Sequence, residues 1–93
     1  MKSDMKAEQA EYRRFLEALG RRIRLHRKRR GWTQAQVNWN GRFYESHWRR
    51  IEQGKTMSLQ TLLRISRMFD VSVSELVAGL DEGRARQVTS KLR

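Results

Sequence analysis

The stretch 33-TQAQVNWNGRFYESHWRRIEQGK-55 begins as a helix, breaks near Asn40-Gly41, and restarts in a run holding Tyr44, His47, Trp48, Arg49 and Arg50. Thr33 is a good N-cap for a short helix over about Gln34 to Trp39. Asn and Gly both tolerate positive φ, so Asn40-Gly41 reads as the turn. A third helix then runs from about Tyr44 to Gln53 and stops at Gly54. Two short helices joined by a tight glycine-containing turn form a helix-turn-helix arrangement.

The flanking sequence supplies the rest of a helical bundle. Residues 1 to about 7 are polar and small, so fraying is expected there, with helix from about Glu8. Tyr12, Phe15, Leu16, Leu19 and Ile23 recur at spacings of three and four, which places them on one face. The arginines from Arg21 to Arg30 fill the opposite side, and Gly20 leaves open one helix or two pieces bent there. Gly31 ends the segment, with cations in its last turn as the helix dipole prefers. Ser58 caps a fourth helix, Leu59 to Phe69, whose expected buried stripe is Leu59, Leu62, Leu63, Ile65, Met68 and Phe69. Ser72 with Glu75 forms a capping-box pattern for a fifth helix, Val73 to Ala78. The expectation is an all-α, compact five-helix fold. A helical extension precedes it over 1–18, the helix-turn-helix unit covers 19–80, and a polar tail occupies 81–93.

Composition narrows the partner. The 93 residues carry 21 Lys and Arg against 10 Asp and Glu, a formal charge of +11. Such an excess repels itself in the folded state and favours a polyanion, either nucleic acid or an anionic membrane surface. A basic amphipathic helix acting at membranes explains the charge but not the ordered motif. No run approaches the roughly 18 apolar residues of a membrane span, and no signal peptide is legible, so the cytoplasm is the expected compartment. The absence of cysteine excludes disulfides and thiolate metal sites, and two isolated histidines offer no metal centre. No cofactor motif, paired-carboxylate site or nucleophile with a neighbouring base appears, so an enzyme is not expected.

The series LGRRIRLHRKRRGWTQAQV, a turn, SHWRRIEQGK and SLQTLLRISRMFDVSVSELV resembles the Cro/Xre-type helix-turn-helix family of phage and bacterial repressors, over about Leu19 to Leu80. The specific matches are Arg27 ahead of a helix end at Gly31, the Thr33-Gln34 opening, and Ile51-Glu52-Gln53-Gly54-Lys55. The Leu-x-x-Leu-x-x-Ile rhythm and the Val-Ser-Val-Ser-Glu-Leu ending complete the set. Four departures stand out. Asn38 occupies a position usually small, and Arg42 aligns with the usual turn glycine. Trp48 replaces an aliphatic residue, and KTMS lacks the Asn-Pro found before the serine.

The resemblance implies a lambda-repressor-like domain bound to double-stranded DNA. An α-helix fits a major groove about 12 Å wide, and the motif's second helix enters it. The inner face of that helix then holds Trp48 and Ile51, and its outer face offers Glu45, Ser46, Arg49 and Arg50 to bases. Glu45 has two readings, acceptance from a cytosine amine or an ion pair with Arg49 one turn on. The resemblance implies a phosphate or base contact from Gln34. Further candidate backbone contacts are Thr33, Tyr44, His47, Lys55, Arg24 and Arg27. About seven phosphate contacts give a log–log salt slope near −6, at about −0.9 per contact.

The expected function is a transcriptional regulator, a repressor, binding a pseudo-palindrome as a homodimer. Its dimer surface is placed on helix five and the tail (Val77, Leu80, Val88, Leu92), with the N-terminal helix as a second choice. The alternative is a protein-interaction regulator, such as an antitoxin or antiactivator, with a protein partner held by the terminal extensions.

Overall fold

A computed structural model of the chain describes residues 2–81, and among these it contains helices and no strand. The order is α1 (Lys2–Arg29), α2 (Gln34–Gly41), α3 (Glu45–Glu52), α4 (Leu59–Phe69) and α5 (Val73–Val77). The five-helix, all-α expectation therefore holds. Val88 and Leu92 lie outside the described residues.

α1 starts at Lys2, ahead of the expected start near Glu8, and its 28 residues run unbroken through Gly20. Gly20 is there for a close approach rather than a bend. A Cβ on it would lie 2.7 Å from the Glu52 carbonyl oxygen and 2.9 Å from that of Ile51. At about 1.5 Å per residue the helix is roughly 42 Å long, so it sets the 45 Å long dimension of the molecule. Only its second half is clamped: Leu16, Leu19 and Ile23 are buried, whereas Tyr12 remains half exposed.

Local signals set the other boundaries. The Thr33 side chain accepts from Gln36 N while the Gln36 side chain accepts from Thr33 N, a complete capping box. α2 continues to Gly41 instead of ending at Trp39, and the left-handed residue is Arg42 (φ 58°), not a residue of the Asn40-Gly41 pair. Gly41 serves contact instead, because a Cβ there would fall 2.0 Å from Met68 Sδ. Ser58 accepts from Thr61 N, and Ser72 accepts from Glu75 N, both at 3.0 Å.

The expected stripe on α4 needs a correction. Leu62, Ile65 and Phe69 are buried, but Leu59 is 84% exposed and Leu63 45%. At about 100° per residue Leu63 lies well round from the face of Leu62, Ile65 and Phe69, whereas Leu59 stands at the first position of α4, ahead of the packed turns. Ser66, close to the azimuth of Leu59 but two turns on, is buried with its hydroxyl donating to Leu63 O at 2.7 Å.

Aromatic packing joins the elements. Trp48 is fully buried, with Phe43 at 5.3 Å and Phe69 edge-on at 6.0 Å. Phe69 also stacks with His26 and Trp32. Three of the arginines expected on the side of α1 opposite the apolar face are engaged within the fold. Arg22 donates to the carbonyls of Glu75 and Ala78, both at 3.0 Å, and so satisfies groups at the end of α5. Arg30 lies 4.6 Å over the Phe69 ring and donates to the carbonyls of His26 and Phe69. Arg27 is buried.

Candidate nucleic-acid interface

The position of α3 is fixed from three sides. From within, Trp48 and Ile51 anchor it in the core. At its C-terminal end Glu52 accepts from Arg27 Nε at 2.6 Å, from Arg27 Nη2 and Gln34 Nε2 at 3.1 Å each, and from the Trp48 indole N–H. One carboxylate thus ties together α1, α2 and α3, and Arg27 adds a bond to Trp32 O at 2.7 Å. Arg27 and Glu52 side chains are 9% and 4% exposed. Arg27 therefore leaves the set of phosphate contacts: its guanidinium is committed inside the fold. Gln34 stays half-buried at the start of α2, with its amide nitrogen held by Glu52.

From the turn side the brace is Arg64 of α4. Its guanidinium lies 4.2 Å over the Phe43 ring and donates to the Arg42 carbonyl at 3.2 Å. Arg42 sits at φ 58°, where a side chain is disfavoured, and Phe43 is the buried residue leading into α3. Arg64 thereby holds the left-handed turn that aims the helix. The larger Trp48, with Phe43 packed against it, fills the space beneath that turn.

With its inner face so held, α3 turns Ser46, Arg50 and Gln53 outward. They sit at i, i+4 and i+7, about opposite Trp48 and Ile51, and all are exposed. Neither Ser46 nor Arg50 has a side-chain partner among the described residues. Arg49 lies on the flank and pairs with Glu45 at 2.8 Å, with 59% and 43% of the two side chains exposed. Of the two readings of Glu45, the structure displays the ion pair. Gln53 was missing from the sequence-based set, although its spacing from Ser46 and Arg50 carries the signal.

The remaining candidates surround this row. Tyr44 is 78% exposed at the N-cap of α3 with no side-chain cap bond. His47 is exposed with its ring 5.8 Å from Phe43, and Thr33, Lys55 and Arg24 are exposed. Trp32 is half-buried against the core, whereas Trp39 is 87% exposed on the outer side of α2. Among the described residues no group of His, Asp and Glu is placed to hold a metal ion, and no helix is long and apolar enough to cross a membrane.

A capped α2, a left-handed turn and an α3 with an inward apolar face and an outward polar row define a helix-turn-helix protein of the DNA-binding regulator class. A family model described as a helix-turn-helix domain matches residues 18–78, and the chain belongs to that family, consistent with the Cro/Xre type. No curated protein and no solved structure matches the chain.

Proposed function

We propose that the protein is a sequence-specific transcriptional repressor that binds a pseudo-palindromic operator in the cytoplasm as a homodimer. Residues 19–80 form the DNA-binding unit, 1–18 an extension and 81–93 a tail. The observation that carries this reading is the exposed, uncommitted row of Ser46, Arg50 and Gln53 on a helix braced from three sides. Arg50 is the principal base reader, since a guanidinium can grip guanine O6 and N7 together. Arg49 and Glu45 flank the row as a pair, which DNA must open before either touches a base. Thr33, Gln34, Tyr44, His47, Lys55 and Arg24 supply phosphate contacts, helped by the free amides at the start of α2. One such unit reads few base pairs, so two copies about 34 Å apart on one DNA face give the operator its length.

Selection from a randomised duplex library at about 150 mM salt, with Arg49→Ala and Arg50→Ala alongside, tests the reading. An enriched inverted repeat, relaxed at one base by Arg50→Ala at a cost of about 1–3 kcal/mol, is the expected result. Tight binding without any enriched sequence refutes it. Trp39, exposed at 87%, favours the second reading, a protein-interaction regulator such as an antitoxin or antiactivator. That reading gains if a partner protein is lost on Trp39→Ala while DNA selection is unchanged.

A further inference from the structure

α4 carries apolar side chains that the body does not cover. Leu59 is 84% exposed and Leu63 45%, and of the large exposed apolar side chains among the described residues only these two stand one turn apart on one helix. Arg67 and Asp70 follow them at spacings of four and three, so Leu59, Leu63, Arg67 and Asp70 form one outward line about 17 Å long. Beside it runs a shallow groove between α4 and α5, lined by Leu63, Arg67 and Asp70 on one side and by Val71, Val73 and Glu75 on the other. Both charges on the line are unanswered within the chain. Neither the Arg67 guanidinium nor the Asp70 carboxylate has a side-chain partner among the described residues. Asp70 is moreover the C-cap of α4, where the helix dipole presents its negative end and a carboxylate is disfavoured. A cation brought to it from outside offsets that cost.

We propose that this face of α4, with the groove beside it, is where two copies of the chain meet. The inference rests on the homodimer reading above and gives it a surface. A two-fold contact uses one patch twice, so the patch has to contain its own complement. This one does. With the two α4 helices antiparallel, Arg67 of each copy comes opposite Asp70 of the other, and Leu63 turns toward the Val71 and Val73 side of the other copy's groove. A partner of a single charge sign fits less well, because Arg67 repels a cationic surface while Asp70 and Glu75 repel an anionic one.

The rest of the fold agrees with this placement. Val77 and Leu80, expected at the dimer surface, are packed against the core instead. No residue of the line belongs to the outward row of α3 or to the proposed phosphate contacts, so pairing takes nothing from the DNA face. A line about 17 Å long makes a small contact, of the class below about 1,200 Å² that forms and parts readily. The +11 carried by each copy opposes it, so association in free solution is weak.

Sedimentation equilibrium of the full-length protein without DNA tests the surface, at about 150 mM salt, where charges more than about 8 Å apart are largely screened. Reversible dimers are expected as the concentration enters the range of about 0.1–1 mM. Leu63→Gln, Arg67→Asp and Asp70→Lys, each with helicity unchanged, should weaken self-association about tenfold, since each charge reversal turns two attractions into two repulsions. An equimolar mixture of the Arg67→Asp and Asp70→Lys proteins should recover it, because opposite charges then meet at both contacts across the pair. A chain that stays monomeric throughout, dimers indifferent to all three substitutions, or a mixture as weak as its components would each overturn the proposal. Indifferent dimers would move the contact to another face and leave the homodimer reading standing. Because no DNA is present, none of these results bears on base reading by Arg50, which the library selection tests separately.

Discussion

Glu52→Gln removes a single charge from the centre of the fold and leaves the side chain's shape. Arg27, 9% exposed, then keeps a full positive charge with no carboxylate within reach, while Gln34 and Trp48 compete for the one remaining carbonyl oxygen. Breaking a buried ion pair by removing one partner costs about 3–5 kcal/mol. A chain of this length has about 5–14 kcal/mol of stability in all, at about 0.05–0.15 per residue, so the substitution consumes a large part of it. Urea unfolding followed by tryptophan fluorescence reads the loss as a lower midpoint. The stranded charge is the stated cause, so Arg27→Met in the Glu52→Gln background should recover more than about 1 kcal/mol through the coupling of the two sites. A Glu52→Gln loss under about 1 kcal/mol, or no recovery in the double variant, refutes the reasoning.

Gly20→Ala should destabilise by about 1–3 kcal/mol, because its Cβ meets the Glu52 and Ile51 carbonyls, although helix propensity alone favours Ala by about 1 kcal/mol. Thermal unfolding decides between the two signs. Arg64→Met should cost only about 1 kcal/mol of stability, for one exposed cation–π contact and one hydrogen bond. It should nevertheless reduce the ratio of operator to random-duplex affinity well beyond the loss of one charge, and titration against both duplexes measures this. Burial first, and then Arg30, Arg29 and Arg22, hold the His26 pKa below its ordinary 6.5, with Glu75 opposing. The unfolded chain takes up that proton more readily, so the stability contributed by neutral His26 is full above 6.5 and is lost as pH falls from there toward the lowered value. Denaturation midpoints across this range, compared with His26→Gln, should show a fall with acid that the variant lacks.

Much of the fold was legible because caps and periodicity act between neighbours. Thr33, Ser58 and Ser72 marked helix starts, and Gly31 and Gly54 marked stops with the positive φ that such ends require. The turn was legible as a location but not in its geometry. A sequence rule assigns positive φ to Asn-Gly, yet the sulfur of Met68 fixes Gly41 as a contact point, and Arg64 supports Arg42 in the strained position. In the same way Leu59 and Leu63 match an apolar pattern, but only the actual neighbours of α4 decide which of its faces is covered.

By itself the sequence determined that the chain is helical, where its helices are capped, that it carries a helix-turn-helix motif, and that it seeks a polyanion. These follow from residue spacing and summed charge, which need no knowledge of long-range contacts. The tertiary structure decided the fate of each arginine. Arg27 is enclosed because Glu52 arrives beside it from 25 residues along the chain, and Arg22 and Arg30 are held by carbonyls more distant still. Arg49 is paired and Arg50 has no side-chain partner among the described residues because the angle of α3, set by Trp48, Glu52 and the Arg64 brace, points one to the flank and the other outward. A guanidinium carries the same charge in every one of these places, and only the groups that fold around it determine whether it supports the protein or faces a partner.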